Sequence, residues 1–160
     1  MGIRTIREMG DDILRKHCKP IKDMTPRIRQ LIKDMFETMY DDNGVGLAAP
    51  QVGILKRLFV IDCFDGEEGA SDPYVFINPE ILETRGEVTD SEGCLSIPGR
   101  FAPVPRPEWV KVRALDKNMQ PFELEAEGLL ARCICHENDH LDGILYVDKA
   151  TGPVEYVKEA

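Results

Sequence analysis

The feature that most constrains the fold of this chain is an H-E-x-x-H motif that runs from His136 to His140. Residues four apart lie one turn above each other on the same face of an α-helix, so a helix here aims two imidazoles at one point. That geometry suits a metal ion, and Glu137 beside the first histidine can take a proton from metal-bound water. Gly143 suits the C-terminal end of such a helix.

Two histidines do not make a complete metal site, and H-E-x-x-H also occurs by chance on polar helix faces. However, two of the chain's three histidines stand in this one motif, which chance leaves unexplained. A catalytic site needs a third ligand from elsewhere and an open position for water. Cys94 is the best candidate, because a thiolate and two imidazoles form a plausible three-ligand set. The alternative for Cys94 is an ordinary buried thiol.

Composition limits the class of protein. A chain of 160 residues is expected to form one domain, spanning residues 1–160. The net charge of -9 argues against general binding to nucleic acid or to anionic membranes. The sequence contains no apolar run of membrane-spanning length and no signal-peptide stretch at its start, so we expect a cytoplasmic protein. Five cysteines, an odd number, argue against a disulfide framework.

Local patterns predict the first long helix. Thr25 is a candidate N-cap, and Pro26 suits the first helical position. Apolar residues then recur with the spacing of an amphipathic helix at Ile28, Leu31, Ile32, Met35, Phe36 and Met39. We interpret this stripe as core.

The middle of the chain is predicted to be extended. Residues 57–62 and 74–78 have the composition of strands, the second ended by Pro79, and residues 109–116 and 122–126 form a hairpin. Prolines at positions 98, 103, 105 and 107 exclude a central strand there. The last helix begins near Gly128. This order predicts a small α+β domain with antiparallel strands packed around a late helix that carries the H-E-x-x-H motif.

Three separated segments resemble one family. The segments G-V-G-L-A-A-P-Q at 44–51, E-G-C-L-S at 92–96 and H-E-N-D-H at 136–140 have the order and spacing of peptide deformylases. The resemblance covers nearly the whole chain. It implies a metalloenzyme that uses metal-activated water to remove the N-formyl group from the N-terminal formyl-methionine of newly made polypeptides.

The resemblance also implies roles for particular residues. It makes Glu137 the general acid and base, and it assigns the developing oxyanion to the side-chain amide of Gln51 and the backbone N–H of Leu95. Fixed donors of this kind stabilise the transition state of amide attack. The implied metal ligands are Cys94, His136 and His140.

The same resemblance outlines the substrate pocket. Gly46 would let the substrate backbone approach and pair like an added strand. The expected walls of the methionine side-chain pocket are Val45, Leu129 and Cys133. We also interpret Glu92 and Arg106 as an ion pair that steadies the cysteine loop.

The expected metal follows from the ligand set. One thiolate and two neutral imidazoles accept Fe²⁺, Co²⁺, Ni²⁺ or Zn²⁺. The resemblance points to Fe²⁺ in the cell, with Zn²⁺, Ni²⁺ or Co²⁺ acceptable in preparations. Cys135 stands where glutamine is common in the family, and we expect it to face away from the metal.

The expected partners are N-formyl-methionyl nascent peptides, which places the protein near the ribosome. Many bacterial relatives carry a longer basic C-terminal helix. The tail from Lys149 to Ala160 is short and mixed in charge, so we do not expect ribosome docking through such a helix.

Two other functions remain open from the residues alone. Another H-E-x-x-H metallopeptidase would take its third ligand downstream of the helix, where Glu155 and Glu159 are available. A non-catalytic metal-binding module would close its site with four protein ligands and would not need Glu137.

Overall fold

The first helix, α1 (Pro26–Asp41), begins where its capping residues predict. In the computed structural model, which describes residues 2–156, the hydroxyl of Thr25 accepts a hydrogen bond from the Ile28 N–H at 3.2 Å. Pro26 occupies the first helical turn, where its missing N–H costs nothing. The predicted start and apolar stripe are confirmed, since the buried face of α1 contains Met35 and Met39 among other apolar residues.

The second helix, α2 (Gly128–Leu141), carries the H-E-x-x-H motif, and Gly143 follows it with a φ of 75°. None of the helices within residues 2–156 is long and apolar enough to cross a bilayer. The strands of the described chain are β1 (Gly46–Ala48), β2 (Leu58–Asp62), β3 (Pro73–Arg85), β4 (Val88–Cys94), β5 (Ile97–Arg106), β6 (Trp109–Leu115), β7 (Pro121–Glu127) and β8 (Glu155–Tyr156).

A five-stranded sheet separates the two helices. Its order is β1-β2-β3-β6-β7, and each neighbouring pair is antiparallel. Successive side chains of β2 point to opposite faces of the sheet, and all of them are buried because both faces are covered. Phe59 and Ile61 pack in the cluster that includes α2, whereas Leu58 and Val60 pack in the cluster that includes α1. The fold is therefore α+β, as the sequence predicts, with antiparallel strands packed around the late helix.

The predicted hairpin is confirmed in β6 and β7, which pair along their whole length. Its turn is held by Asp116, whose carboxylate accepts hydrogen bonds from the N–H groups of Asn118 at 2.8 Å and Gln120 at 3.1 Å. Strand β7 of this hairpin ends at Glu127, and α2 begins at the next residue, Gly128.

The prediction that prolines exclude a central strand between residues 98 and 107 is wrong. Strand β5 runs through three of those prolines and lies between β4 and β8 in a second, three-stranded sheet. The carbonyl of Pro103 accepts a hydrogen bond from the Thr151 N–H at 2.9 Å. The backbone hydrogen-bonding groups of Pro103 therefore face away from β4. Pro105, two residues on, faces the same side. Because the two prolines face away from β4, their missing N–H groups remove no hydrogen bond to that strand. They also remove none to β8, which pairs only with Arg100 and Phe101.

The prediction that Pro79 ends a strand is also wrong. Strand β3 continues to Arg85, and its pairing with β6 shifts register between Ile77 and Glu80. Asn78 has a φ of 50° at this point. The shift is a bulge that takes Pro79 out of the ladder, so the strand resumes beyond it.

Candidate active site

Three predicted ligands from two distant parts of the chain meet at the inner face of α2. The donor atoms of Cys94, His136 and His140 all lie within 4.8 Å of one another. The two histidines stand on successive turns of α2, with ring centroids 5.0 Å apart. Cys94 ends β4, and its Sγ lies 3.3 Å from His140 Nε2.

The chemistry of this group fits a divalent cation. Burial holds the pKa of His140 well below its usual value, which keeps the ring neutral, the form that binds metals. Burial also opposes protonation of His136, but the nearby Glu137, Cys94 and Glu92 outweigh it and raise its pKa. One cysteine and two histidines thus lie together, and these side chains are common ligands of divalent cations.

Glu137 lies beside the ligand group rather than in it. Its Oε2 is 3.9 Å from His136 Nε2, and its Oε1 is buried without a hydrogen-bond partner among residues 2–156. Burial raises the pKa of Glu137 to about 7. A buried carboxyl with an unsatisfied oxygen that titrates near neutral pH is suited to general acid and base chemistry.

A cavity of about 590 Å³ opens next to this carboxylate. It brings together the residues expected to stabilise the oxyanion and to bind the substrate. Among its lining residues are Val45, Gly46, Gln51, Leu95, Leu129 and Cys133, together with Cys94, His136 and Glu137.

Gln51 lies on a 3₁₀-helix (Ala49–Val52) directly after β1. Its Oε1 accepts a hydrogen bond from the Ala48 N–H at 2.9 Å, which fixes the amide. Its Nε2 donates to Ser96 Oγ at 3.0 Å and lies 3.5 Å from Cys94 Sγ. Leu95 occupies the tight turn between β4 and β5. The amide of Gln51 and the backbone at Leu95 therefore flank Cys94.

A buried ion cluster stands behind His136, and sequence reasoning found only part of it. Glu92 and Arg106 do form a pair, with Oε1 to Nη2 at 2.7 Å. The same Oε1 accepts a hydrogen bond from His136 Nδ1 at 2.5 Å, so Glu92 orients the His136 ring as well as the strand that ends at Cys94. Burial opposes ionisation of Glu92, yet its bonds to His136 and Arg106 lower its pKa to about 2.

Two members of this cluster were not predicted. Arg132 donates to Glu92 Oε2 at 2.7 Å, and Asp139 accepts from Arg106 at 2.7 Å. The available signal was helical position, since Arg132 lies one turn before His136 on the same face and its neighbours in the sequence, from Leu130 to Ile134, are otherwise apolar. An arginine there needs a buried partner.

Cys135 packs in the apolar core and is not part of the ligand group. Glu155 lies exposed in β8, pairs with Phe101 and is also outside that group, whereas Glu159 lies outside the described residues. Glu155 therefore does not supply the third ligand of a conventional H-E-x-x-H peptidase.

Comparisons with known proteins agree with this geometry. The sequence model of the family described as polypeptide deformylase matches residues 3–155. A peptide deformylase of Lachnoclostridium phytofermentans is 60% identical over 158 residues, which cover 98% of this chain and 94% of that protein.

Solved structures give the same result. A crystal structure of a peptide deformylase from Legionella pneumophila has a TM-score of 0.88 and 47% identity, covering 94% of this chain and 87% of that one. The peptide deformylase from Thermotoga maritima has a TM-score of 0.89 and 41% identity, covering 95% of this chain and all of that one (100%). The chain belongs to the peptide deformylase family, the metal-dependent hydrolases that remove the N-formyl group from nascent peptides.

Proposed function

We propose that residues 1–160 form a single catalytic domain in which Cys94, His136 and His140 hold the metal ion and Glu137 moves the protons. In deformylation, the oxygen of water bonds to the formyl carbon while Glu137 accepts a proton from that water. Collapse of the tetrahedral species breaks the carbon–nitrogen bond and releases formate. Glu137 then returns the proton to the leaving amine. The unsatisfied Oε1 of Glu137, buried beside the ligand group, is the observation that carries this proposal.

The developing oxyanion is stabilised by the side-chain amide of Gln51 and the backbone N–H of Leu95. Donors that are already fixed stabilise charge without reorganising during the reaction. The bond from Ala48 N–H to Gln51 Oε1 supports this role, because it holds the NH₂ group on the side of Cys94.

A bound divalent cation supplies Lewis acidity, which polarises the carbonyl and makes water nucleophilic at neutral pH. We propose Fe²⁺ as the metal in the cell, with Zn²⁺, Ni²⁺ or Co²⁺ in preparations. The thiolate of Cys94 makes an iron-loaded site sensitive to oxygen. Protein prepared anaerobically with iron should release formate faster than protein prepared in air. Equal iron content and equal activity in the two preparations would contradict this sensitivity.

The peptide substrate extends the five-stranded sheet. Strand β1 stands at the edge of that sheet, and Gly46, its first residue, also lines the cavity. An extended peptide can pair with such an edge through its backbone. Val45 and Leu129 are large apolar side chains exposed at 37% and 54%, beside the buried Cys133. These three form the walls of the methionine pocket.

We also propose that the enzyme meets its nascent substrates in the cytoplasm, near the ribosome. Contact through a C-terminal helix is not part of this proposal. In support, residues Glu155–Tyr156 pair with β5 as β8. The final part of the tail on which this expectation also rested, residues 157–160, lies outside the described residues.

Formate release from a formyl-methionyl peptide by anaerobically prepared protein tests the proposal directly. Glu137→Gln should keep its metal and lose about 10²–10⁴-fold in turnover, whereas Cys94→Ala should lose the metal itself. Gln51→Leu should lower kcat by about 10²–10³-fold rather than raise KM. Turnover near wild type in Glu137→Gln, or full metal content in Cys94→Ala, would refute the corresponding role.

A further inference from the structure

Two cysteines that the proposed mechanism does not use face each other beside the cavity. Cys63 directly follows β2, and Cys133 lies on α2 one turn before His136. Their Sγ atoms are 3.8 Å apart, and both thiols are free. This contact joins residues 70 positions apart in the chain, and one of its members lines the substrate cavity.

We propose that Cys63 and Cys133 form a reversible intramolecular disulfide, made by exchange with a small-molecule disulfide such as oxidised glutathione, and that this bond alters the methionine pocket. A disulfide holds its sulfur atoms at about 2.05 Å, so the two thiols must approach by somewhat less than ~2 Å. Cys63 directly follows β2 and is half-buried, so its side chain can make this approach without a movement of α2.

The surroundings assign different roles to the two thiols. Cys63 is half-buried, whereas Cys133 is only 7% exposed, so an incoming reagent meets Cys63 first. A hydrogen bond with Cys133 lowers the pKa of Cys63. The same contact, together with burial, raises the pKa of Cys133. Cys63 is therefore the attacking thiol, and Cys133 resolves the intermediate.

The exchange balances in two steps. The Cys63 thiolate attacks one sulfur of the small disulfide, the old S–S bond breaks, and one thiolate leaves and takes a proton. The Cys133 thiol then gives up its proton and attacks the Cys63 sulfur of the mixed disulfide, releasing the second small thiol. The two cysteines lose two electrons, which reduce the small-molecule disulfide to two thiols.

The disulfide should weaken substrate binding. This effect rests on the proposed role of Cys133 as a wall of the methionine pocket. Closing the bond draws the sulfur of Cys133 towards Cys63 and reshapes that wall. The ligand residues and Glu137 are not part of the bond. Oxidation should therefore raise KM for a formyl-methionyl peptide several-fold and leave kcat nearly unchanged.

The test uses nickel-loaded enzyme in buffers of reduced and oxidised glutathione. Proteolysis without reductant, followed by mass spectrometry, should show a peptide pair joined through Cys63 and Cys133, and dithiothreitol should remove it. Cys63→Ala should not form the link and should keep wild-type KM under oxidation. Cys18→Ala is the matched control, because it removes one buried thiol away from the pair and should oxidise like the wild type.

Absence of the link in strongly oxidising buffer, or glutathione left permanently on Cys63, would overturn the proposal. A link that forms while KM stays unchanged would overturn its effect on the pocket. Both outcomes are separable from failure of the proposed function, since that failure would appear as absent formate release in fully reduced enzyme.

Discussion

At the scale of single residues, Glu92 connects the candidate metal site to the fold. Its two oxygens accept hydrogen bonds from His136, Arg106 and Arg132, all of which are buried. Taking so many charges out of water costs much free energy, which their mutual attraction offsets only while every partner is present. Glu92 is therefore a positioning residue whose loss should affect both stability and metal binding.

We predict that Glu92→Gln lowers the free energy of unfolding by about 3–5 kcal/mol, because it leaves buried arginines without a full counter-charge. The affinity for metal should fall by about 10–100-fold, since His136 loses the carboxylate that fixes its ring. Urea unfolding and metal titration measure the two effects.

Glu80→Gln provides the control for Glu92. Glu80 pairs with Arg113 at 3.1 Å, but both side chains are at least half exposed. Such surface pairs contribute about 0–1 kcal/mol. If both variants behaved alike, the ion cluster behind His136 would have no special role.

At the scale of elements, the approach of β1 to α2 sets the position of the Glu137 carboxylate. A Cβ placed on Gly46 would lie 2.6 Å from Glu137 Oε2. The atom that must yield is the end of a flexible side chain, so the clash should displace the carboxylate rather than the backbone.

We therefore predict that Gly46→Ala reduces formate release by up to about 10²-fold, the cost of a displacement on the order of 1 Å in a catalytic group. Metal content and stability should stay close to wild type. In the Glu137→Gln background, the same substitution should add little, because both changes act through one carboxylate. Additive losses in the double variant would show that Gly46→Ala acts by another route.

The end of β2 carries a buried carboxylate, that of Asp62. Asp62 is fully buried and accepts hydrogen bonds from Tyr40, Ser71, and the N–H groups of Phe64 and Asp72. Burial opposes its ionisation, but these bonds outweigh burial and lower its pKa. The carboxylate therefore holds the loop that follows β2.

Asp62→Asn should lower the free energy of unfolding at pH 7 by about 1.5–3 kcal/mol. A lowered carboxyl pKa gives stability that is complete above the unfolded pKa of about 3.9 and is lost as pH falls through the folded value. The gap between wild type and variant should thus shrink below about pH 4 in urea titrations. Asp65→Asn, at an exposed position, serves as the control. A gap that grows in acid would contradict the sign.

The elements also show what the sequence could predict. Helix α1 and the β6–β7 hairpin follow from caps, periodicity and turn residues that lie within a few positions of one another. Strand β5 does not, because its tolerance of Pro103 and Pro105 depends on which side the partner strand lies. In the site, the spacing of His136 and His140 is a local pattern. The contact between Glu92 and Arg132 joins residues 40 positions apart. The helical position of Arg132 indicates that it needs a buried partner, but no local pattern identifies Glu92 as that partner.

At the scale of the whole molecule, the N-terminal arm, residues 2–24, joins parts that the sheets leave separate. The Arg7 N–H donates to the Gln51 carbonyl at 2.7 Å, and the Met9 N–H donates to the Ser96 carbonyl at 2.8 Å. Farther along, the Cys18 N–H donates to the Leu141 carbonyl at 2.9 Å, at the end of α2. The arm thus contacts the loop of Gln51, the turn after Cys94 and the histidine helix.

Leu14 anchors this arm in the small apolar cluster next to the second sheet. It is 1% exposed and packs in one cluster with Ile97, Val104 and Tyr146. The ring of Tyr146 in turn stacks on His136, with centroids 6.2 Å apart. A cavity at Leu14 would therefore loosen the packing behind His136.

We predict that Leu14→Ala lowers the free energy of unfolding by about 2–5 kcal/mol, the usual cost of a buried leucine, as measured by urea unfolding of the metal-loaded enzyme. Its metal should also dissociate faster on challenge with a chelator, because the packing behind His136 is weakened. Ile3→Ala, at a side chain that is 60% exposed, should change stability by less than about 0.5 kcal/mol. If Leu14→Ala lost stability but released metal at the wild-type rate, the arm would stabilise the fold without supporting the site.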